Sequence, residues 1–408
     1  MRTFVGMKRL LVAVVCLLGL ACPRLQAQQV DLDSVEISLL TCSPHEEIYS
    51  LYGHTALRIL DKRPGGGDLA VNYGLFSFDK PFFVARFIFG LTDYEMGVAP
   101  FQAFCNEYRY YGSEVTEQVL NLSNGEKERI LAAVAENYMP ENRVYRYNIF
   151  HDNCTTRAID MVLNHLSVSE EALRHGKKED SYPTFREMVH SCNGHHPWVS
   201  FGSDMLLGFQ ADRRTTHRDW LFLPAHAMED FARMSIVEGS KSRALVKETR
   251  TAVEGGVQTV ESDFPLRPRT VFLLLLVLTL IISMVEWRLK KTFWGYDALL
   301  MVLCGLAGTV LFLMVFSQHP TVSLNFHLLL LNPLPLFLVW RMIKRTRARK
   351  RDRQYVLWTV LICLFFAMGF VQQYAEGMYL LASSLLIRNL KYLNEELGMR
   401  NEELGMRN

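Results

Sequence analysis

The sequence predicts an α+β domain exported across a membrane, followed by a C-terminal bundle of about four transmembrane helices. Three observations predict it. Residues 1–27 carry Arg2, Lys8 and Arg9, then an apolar run from Leu10 to Ala21, then small residues ending at Ala27, which is the pattern of a secretory signal. Residues 28–238 mix strand-like alternation with helix-start signals. Four apolar segments then run near Thr270 to Trp287, Phe293 to Phe316, Val322 to Trp340 and Tyr355 to Val371, each long enough, or nearly so, to cross a hydrocarbon core.

In the exported part, Glu36 to Thr41 alternates as a strand. Gly53 to Leu60 and Asp68 to Gly74 flank the turn-forming loop Asp61 to Gly67 and read as a hairpin. With the turn centred near Pro64, His54 lies across from Gly74 and diagonal to Asn72, on one face. Ser123 and Glu126 form a capping box that opens a helix through Ile130, Leu131, Val134 and Tyr138. From Thr155 onward Ala158, Ile159, Val162, Leu163 and Leu166 recur at helical spacing, with Asp152 or Asn153 placed to cap that helix. His165 to Ser191 is polar and reads as a connection between helices, with Tyr182 to Phe185 marking a turn. Trp198 to Gly208 and Phe222 to Pro224 are apolar and glycine-punctuated, suited to closing the core or lining a groove. Residues 239–268 are charged and poor in large apolar groups, which suits a linker to the membrane.

Basic residues orient the spans. Arg288, Lys290 and Lys291 lie between the first and second, and the run Arg341 to Arg353 lies between the third and fourth. Positive loops stay cytoplasmic, so the domain preceding the first span lies outside, as the signal segment also requires. The helical domain is expected over residues 269–391. Met378 to Ile387 reads as interfacial or re-entrant, being short and close to Arg388 and Lys391. Residues 392–408 hold a duplicated polar tail with no folded role expected. The net charge of +2 points to no particular partner, and no phosphate-cradling glycine motif or nucleic-acid-binding stripe is present.

The chemistry centres on Cys154. A thiol in a first helical turn meets unpaired N–H groups and the positive end of the helix dipole, both of which favour the reactive thiolate. A cysteine nucleophile also needs a base and a group to orient that base. The sequence offers His54 as the base and Asn72 as the orienting residue, with Asp79, Glu46 and His151 as competitors for the third place. Tyr52, Asn153 and the backbone N–H of Cys154 are candidates to stabilise an oxyanion. Cys42, Cys105 and Cys192 share the exported part, and an oxidising compartment allows pairing among them without saying which. No metal or cofactor is expected: His45-Glu46 and His54 lack the spacing that sets two ligands on one helical face, and His195-His196 lacks a third ligand.

At Tyr52-Gly-His-Thr-Ala-Leu-Arg-Ile59 and Asp152-Asn-Cys-Thr155 the sequence resembles the permuted papain-like (NlpC/LRAT-like) fold of the lecithin:retinol acyltransferase group. That group often has a second histidine on the next strand, where this chain has Asn72. Together with Phe201 to Gly208, Ala211-Asp-Arg213, Phe222-Leu-Pro224 and the C-terminal spans, the pattern resembles the lipoprotein N-acyltransferases of Bacteroides type. The resemblance implies a bacterial inner-membrane enzyme with its catalytic domain in the periplasm. It would move an acyl chain from a membrane phospholipid, through a Cys154 thioester, to the α-amine of a diacylglyceryl-cysteine lipoprotein, with no nucleic-acid partner. Two readings compete with it: a membrane-anchored cysteine peptidase or amidase acting on cell-wall peptides, and a tethered binding module in which Cys154 is half of a disulfide.

Overall fold

The structure, a computed structural model, describes residues 32–45, 47, 50–76, 81–168, 182–257, 264–348, 352 and 354–405. The signal segment 1–27 and two of the competitors, Glu46 and Asp79, lie outside the described residues. The exported domain is built on a seven-stranded sheet. Its strands are β1 (Val35–Cys42), β2 (His54–Asp61), β3 (Asp68–Leu75), β4 (Asp93–Pro100), β5 (Val115–Leu120) and β6 (Val144–Arg146), with β11 (Val246–Val253) far along the chain. The spatial order is β11-β5-β1-β2-β3-β4-β6, and every neighbouring pair is antiparallel. Two short ribbons complete the strands: β7 (Tyr182–Thr184) with β8 (Arg214–Thr215), and β9 (Ser235–Glu238) with β10 (Lys241–Ala244).

The helices of this domain are α1 (Phe83–Ile88), α2 (Phe101–Tyr110), α3 (Asn124–Tyr138), α4 (Cys154–Leu163), α5 (Phe185–Asn193), α6 (Pro197–Leu206), α7 (His217–Trp220) and α8 (Pro224–Arg233). Strand alternation divides the apolar side chains between two faces. Ile37, Leu39, Leu57 and Val71 meet Ile130 of α3, Ala158, Ile159 and Val162 of α4, and Phe231 of α8. Leu40, Ala56 and Ala70 meet Phe101, Phe104 and Tyr108 of α2. The capping box expected at Ser123 and Glu126 is formed at the start of α3.

Two expectations for this part are corrected. Residues 239–268 are not simply a linker, because Val246–Val253 joins the sheet edge beside β5 and Arg250 pairs with Glu117 at 3.0 Å. Charged residues suit an edge strand with one solvated side, so low apolar content concealed it. Nor is Tyr182 to Phe185 only a turn. Thr184 caps α5 by accepting from the Glu187 N–H, opening a helix where a connection was expected.

The membrane domain comprises α9 (Pro268–Leu289), α10 (Trp294–Met314), α11 (Leu334–Arg347), α12 (Gln354–Met368) and α13 (Met378–Gly405). Among the described residues three segments are long and apolar enough to cross a membrane: Pro268–Leu289, Trp294–Met314 and Phe326–Arg347. Gln354–Met368 is apolar but shorter. The interfacial or re-entrant reading of residues 378–387 is corrected, since they begin a helix packed along α9 and α12, and that helix continues into the duplicated tail. The reason is charge neutralisation inside the bundle. Arg388, only 3% exposed, donates to Asp297 at 2.6 and 2.8 Å and to Glu286 at 3.0 Å, while Lys391 pairs with Glu286 at 2.9 Å. The cations that argued against a membrane helix are thus paired with carboxylates from α9 and α10. Arg388→Gln would leave Asp297 buried with only the Tyr392 hydroxyl donating to it and Glu286 with Lys391 as its remaining cation, at an expected cost of about 3 kcal/mol, read as a lowered unfolding midpoint of the full-length protein in detergent.

The two domains are clamped together at the periplasmic end of the bundle. Asn325 Nδ2 donates to the Met205 carbonyl at 2.8 Å, the Gly208 N–H to that of Thr321 at 2.8 Å, and the Phe209 N–H to that of Leu324 at 2.9 Å. Arg186, fully buried, donates to Asp204 and Asp212 at 2.7 Å and so braces the docking segment from behind. Gly208 is required here because a Cβ would lie 2.2 Å from the Leu324 carbonyl oxygen. The Trp198 to Gly208 segment therefore works as a domain clamp, whereas Phe222 and Leu223 do close the core of the exported domain.

Candidate active site

The end of the sheet where β2 begins and β3 ends carries the site. Gly53, immediately before His54, adopts φ +76°, and a Cβ there would stand 2.7 Å from the Cys42 carbonyl oxygen. Glycine is thus required where the chain turns into β2. The positive φ alone makes Gly53→Ala cost about 1–2 kcal/mol. It is also expected to displace His54 and so slow alkylation of Cys154, checked by labelling kinetics beside a circular dichroism melt.

The register expected from the hairpin is present. Ala56 pairs with Asn72, and one pleat earlier the His54 Nε2 lies 3.1 Å from the Asn72 Oδ1. The Nε2–H donates to that oxygen, which leaves Nδ1 as the ring nitrogen available to the thiol. Tyr108 of α2 lies nearly parallel to the His54 ring, with centroids 6.4 Å apart.

Cys154 is the first residue of α4, as its sequence context predicts. Asn153 is the N-cap: its Oδ1 accepts from the Thr156 N–H at 2.9 Å, and Thr156 Oγ1 accepts from the Asn153 N–H at 2.8 Å. Asn153 Nδ2 donates to the carbonyls of Ile149 and Phe222, each at 2.9 Å. Its side chain is therefore committed to holding α4 in place, and the expectation that it stabilises an oxyanion is corrected. Tyr52 is also turned elsewhere, its hydroxyl accepting from Asn193 Nδ2 at 3.3 Å. His151 lies 3.5 Å from Asp219, away from His54, so of the described competitors only Asn72 reaches the imidazole.

The thiol and the imidazole lie near enough for their charges to reinforce each other. Burial works against the Cys154 thiolate. The adjacent His54 charge, the bond to its ring, the Thr55 backbone N–H and the Thr155 hydroxyl outweigh burial and lower the thiol below its ordinary range. For His54, burial again opposes charge, but the thiolate and the bonds to Cys154 and Asn72 raise the imidazole above its ordinary value. The two shifts run in opposite directions, the thiol down and the imidazole up, each favouring the charged form of the other. Cys42, Cys105 and Cys192 have thiols pushed up by burial, and all six described cysteines are free.

A cleft of about 390 Å³ opens at this sheet end, lined among others by His54, Asn72, Gly74, Phe76, Glu107 and Tyr108. Cys154 approaches from the α4 side, behind Gly74, which has φ +87° and whose missing Cβ would lie 3.6 Å from the Cys154 Cβ. Sequence reading missed two aromatic neighbours: the Tyr145 hydroxyl and the Tyr147 ring pack at Gly74 beside the thiol. The alternation Tyr145-Arg-Tyr147 just before the cysteine was the available signal.

Fold and site together define an inner-membrane protein with a periplasmic α+β domain that places a cysteine and a histidine at one end of its sheet. Residues 22–190 match the family model described as the Lnb N-terminal periplasmic domain, and residues 259–396 match that described as the Lnb transmembrane domain. The chain belongs to the Lnb family, a family of lipoprotein N-acyltransferases. No curated protein and no solved structure matches it.

Proposed function

We propose that this protein transfers an acyl chain from a membrane phospholipid to a lipoprotein amine by a ping-pong reaction through Cys154. The observation that carries the reading is the placement of Cys154 at the start of α4 with its thiol shifted down by His54, and of Asn72 on the far side of the His54 ring. We read the helix-borne cysteine packed against the histidine-bearing strand as a permuted papain-like arrangement. The Cys154 sulfur attacks the ester carbonyl of the phospholipid. When the tetrahedral intermediate collapses, the C–O bond breaks, His54 protonates the departing alkoxide, and a lysophospholipid leaves. The neutral α-amine of the diacylglyceryl-cysteine then attacks the thioester carbonyl. His54 takes the amine proton, the C–S bond breaks, and the amide product leaves behind the thiolate–imidazolium pair.

Asn72 accepts from Nε2–H throughout and keeps Nδ1 directed at the sulfur. The helix-start N–H of Cys154 is the remaining candidate to stabilise the oxyanion. A membrane clamp has an evident use when both substrates are lipids, and the peptidase or amidase reading does not account for it. The test is to trap the intermediate: full-length protein in nanodiscs containing isotopically labelled phospholipid should acquire a hydroxylamine-labile acyl group on the Cys154 peptide. A protein that consumes donor without ever carrying that adduct would rule the reading out.

A further inference from the structure

The connection between β3 and β4 contains an apolar segment, Pro81 to Phe89, that joins the thiol cleft to the membrane boundary. At its β3 end, Gly74 and Phe76 line the cleft. At its β4 end, the Thr92 carbonyl accepts from the Tyr147 N–H, and the ring of Tyr147 packs at Gly74. Between these points the segment touches the bundle. The Phe89 carbonyl accepts from the Gln318 N–H at 3.0 Å, Gly90 packs on Ser317 and His319, and α1 lies against α10. That contact is at the periplasmic end of α10, where Phe312 and Phe316 face outward from the bundle.

The outward side of the segment is aromatic. Phe82 is 83% exposed and Phe87 47% exposed. Phe82 also holds φ +58°, a conformation that a bulky residue rarely adopts. The segment's one cation, Arg86, is partly exposed but ion-paired, donating to Asp93 and to the Leu91 carbonyl at 3.2 Å. An aromatic surface whose only charge among its described residues is ion-paired, continuous with the lipid-facing end of a span, has the composition of an interfacial membrane element.

We propose that α1 and Phe82 are seated in the outer leaflet of the inner membrane and form the path by which a phospholipid acyl chain passes from the bilayer to Cys154. The occupant of this surface is the phospholipid leaflet itself. The path rests on the acyl-transfer reading, whereas the seating does not.

A spin label reads the seating directly in full-length protein in phospholipid nanodiscs. Cys16, Cys22, Cys154, Cys192 and Cys363 are replaced by Ser, and the label is placed at Phe82→Cys or, as an aqueous reference, at Tyr110→Cys, whose native side chain is 85% exposed on α2. The label at position 82 is expected to be more accessible to oxygen than to a water-soluble nickel chelate, and the label at 110 the reverse. A label at 82 that behaves like the one at 110 overturns the seating.

In the otherwise native chain, Phe82→Asp and Phe87→Asp are expected to slow acylation of Cys154 from bilayer phospholipid by about tenfold, because a charge opposes insertion, while Phe82→Trp keeps the rate. A folded Phe82→Asp protein that is acylated at the native rate overturns the path. If the native protein never acquires an acyl group while the label at 82 lies in lipid, the acyl-transfer reading fails and the membrane seat stands.

Discussion

Replacing Cys154 by Ala in a strain with no second enzyme is expected to leave its lipoproteins diacylated, with free α-amines at their N-termini. Mass spectrometry of those N-terminal peptides is the measurement, and the loss should be on the order of 10⁴-fold or more, because a nucleophile that forms a covalent intermediate has no substitute in the site. Cys154 begins α4 and contributes no capping bond through its side chain, since Asn153 and Thr156 hold the helix start. The variant should therefore accumulate normally, and a fully triacylated profile from it would eliminate the proposed chemistry.

Replacing His54 by Gln should lower the acylation rate by about 10²–10⁴-fold, since the imidazole both supports the thiolate and moves the proton in each half-reaction. A separate readout follows from the sign of the shifts. In the native protein His54 lowers the Cys154 thiol, so alkylation by iodoacetamide persists below the ordinary thiol range and falls only as pH drops through that lowered value. Without the imidazolium, burial is left to act with little opposition, and the inflection should move upward, to the ordinary thiol range or above it. An unchanged alkylation profile in the His54→Gln protein would show that the two groups are not paired.

Much of this site was legible in the chain because its signals are local. The cysteine's position comes from a cap followed by a 3.6-residue apolar period, both contained within Asn153 to Leu163. The hairpin was equally readable: a loop of turn-forming residues between two alternating runs sets a register, and that register brings Asn72 to His54. Tyr52 and Asn153 were misjudged as oxyanion groups because their true partners, Asn193 for one and Ile149 and Phe222 for the other, are set by how distant elements pack. Nothing in the sequence near either residue announces those bonds.

By itself, then, the sequence determined the order of the parts and their sidedness: a signal-like start, a mixed domain, and apolar spans oriented by the basic residues between them. It also determined which residues could form a thiol–histidine pair. Those are properties of composition and short-range period, which the chain carries wherever it folds. Only the tertiary structure decided that Val246–Val253 closes the edge of the catalytic sheet, and that Trp198 to Gly208 clamps the domain to the bundle. It also decided that Met378–Gly405 packs as a bundle helix. The reason is the same in each case. An edge strand, a docking glycine and an intramembrane arginine look unfavourable or featureless in isolation, and become favourable only when Glu117, Leu324, or Glu286 and Asp297 arrive from distant parts of the chain to satisfy them.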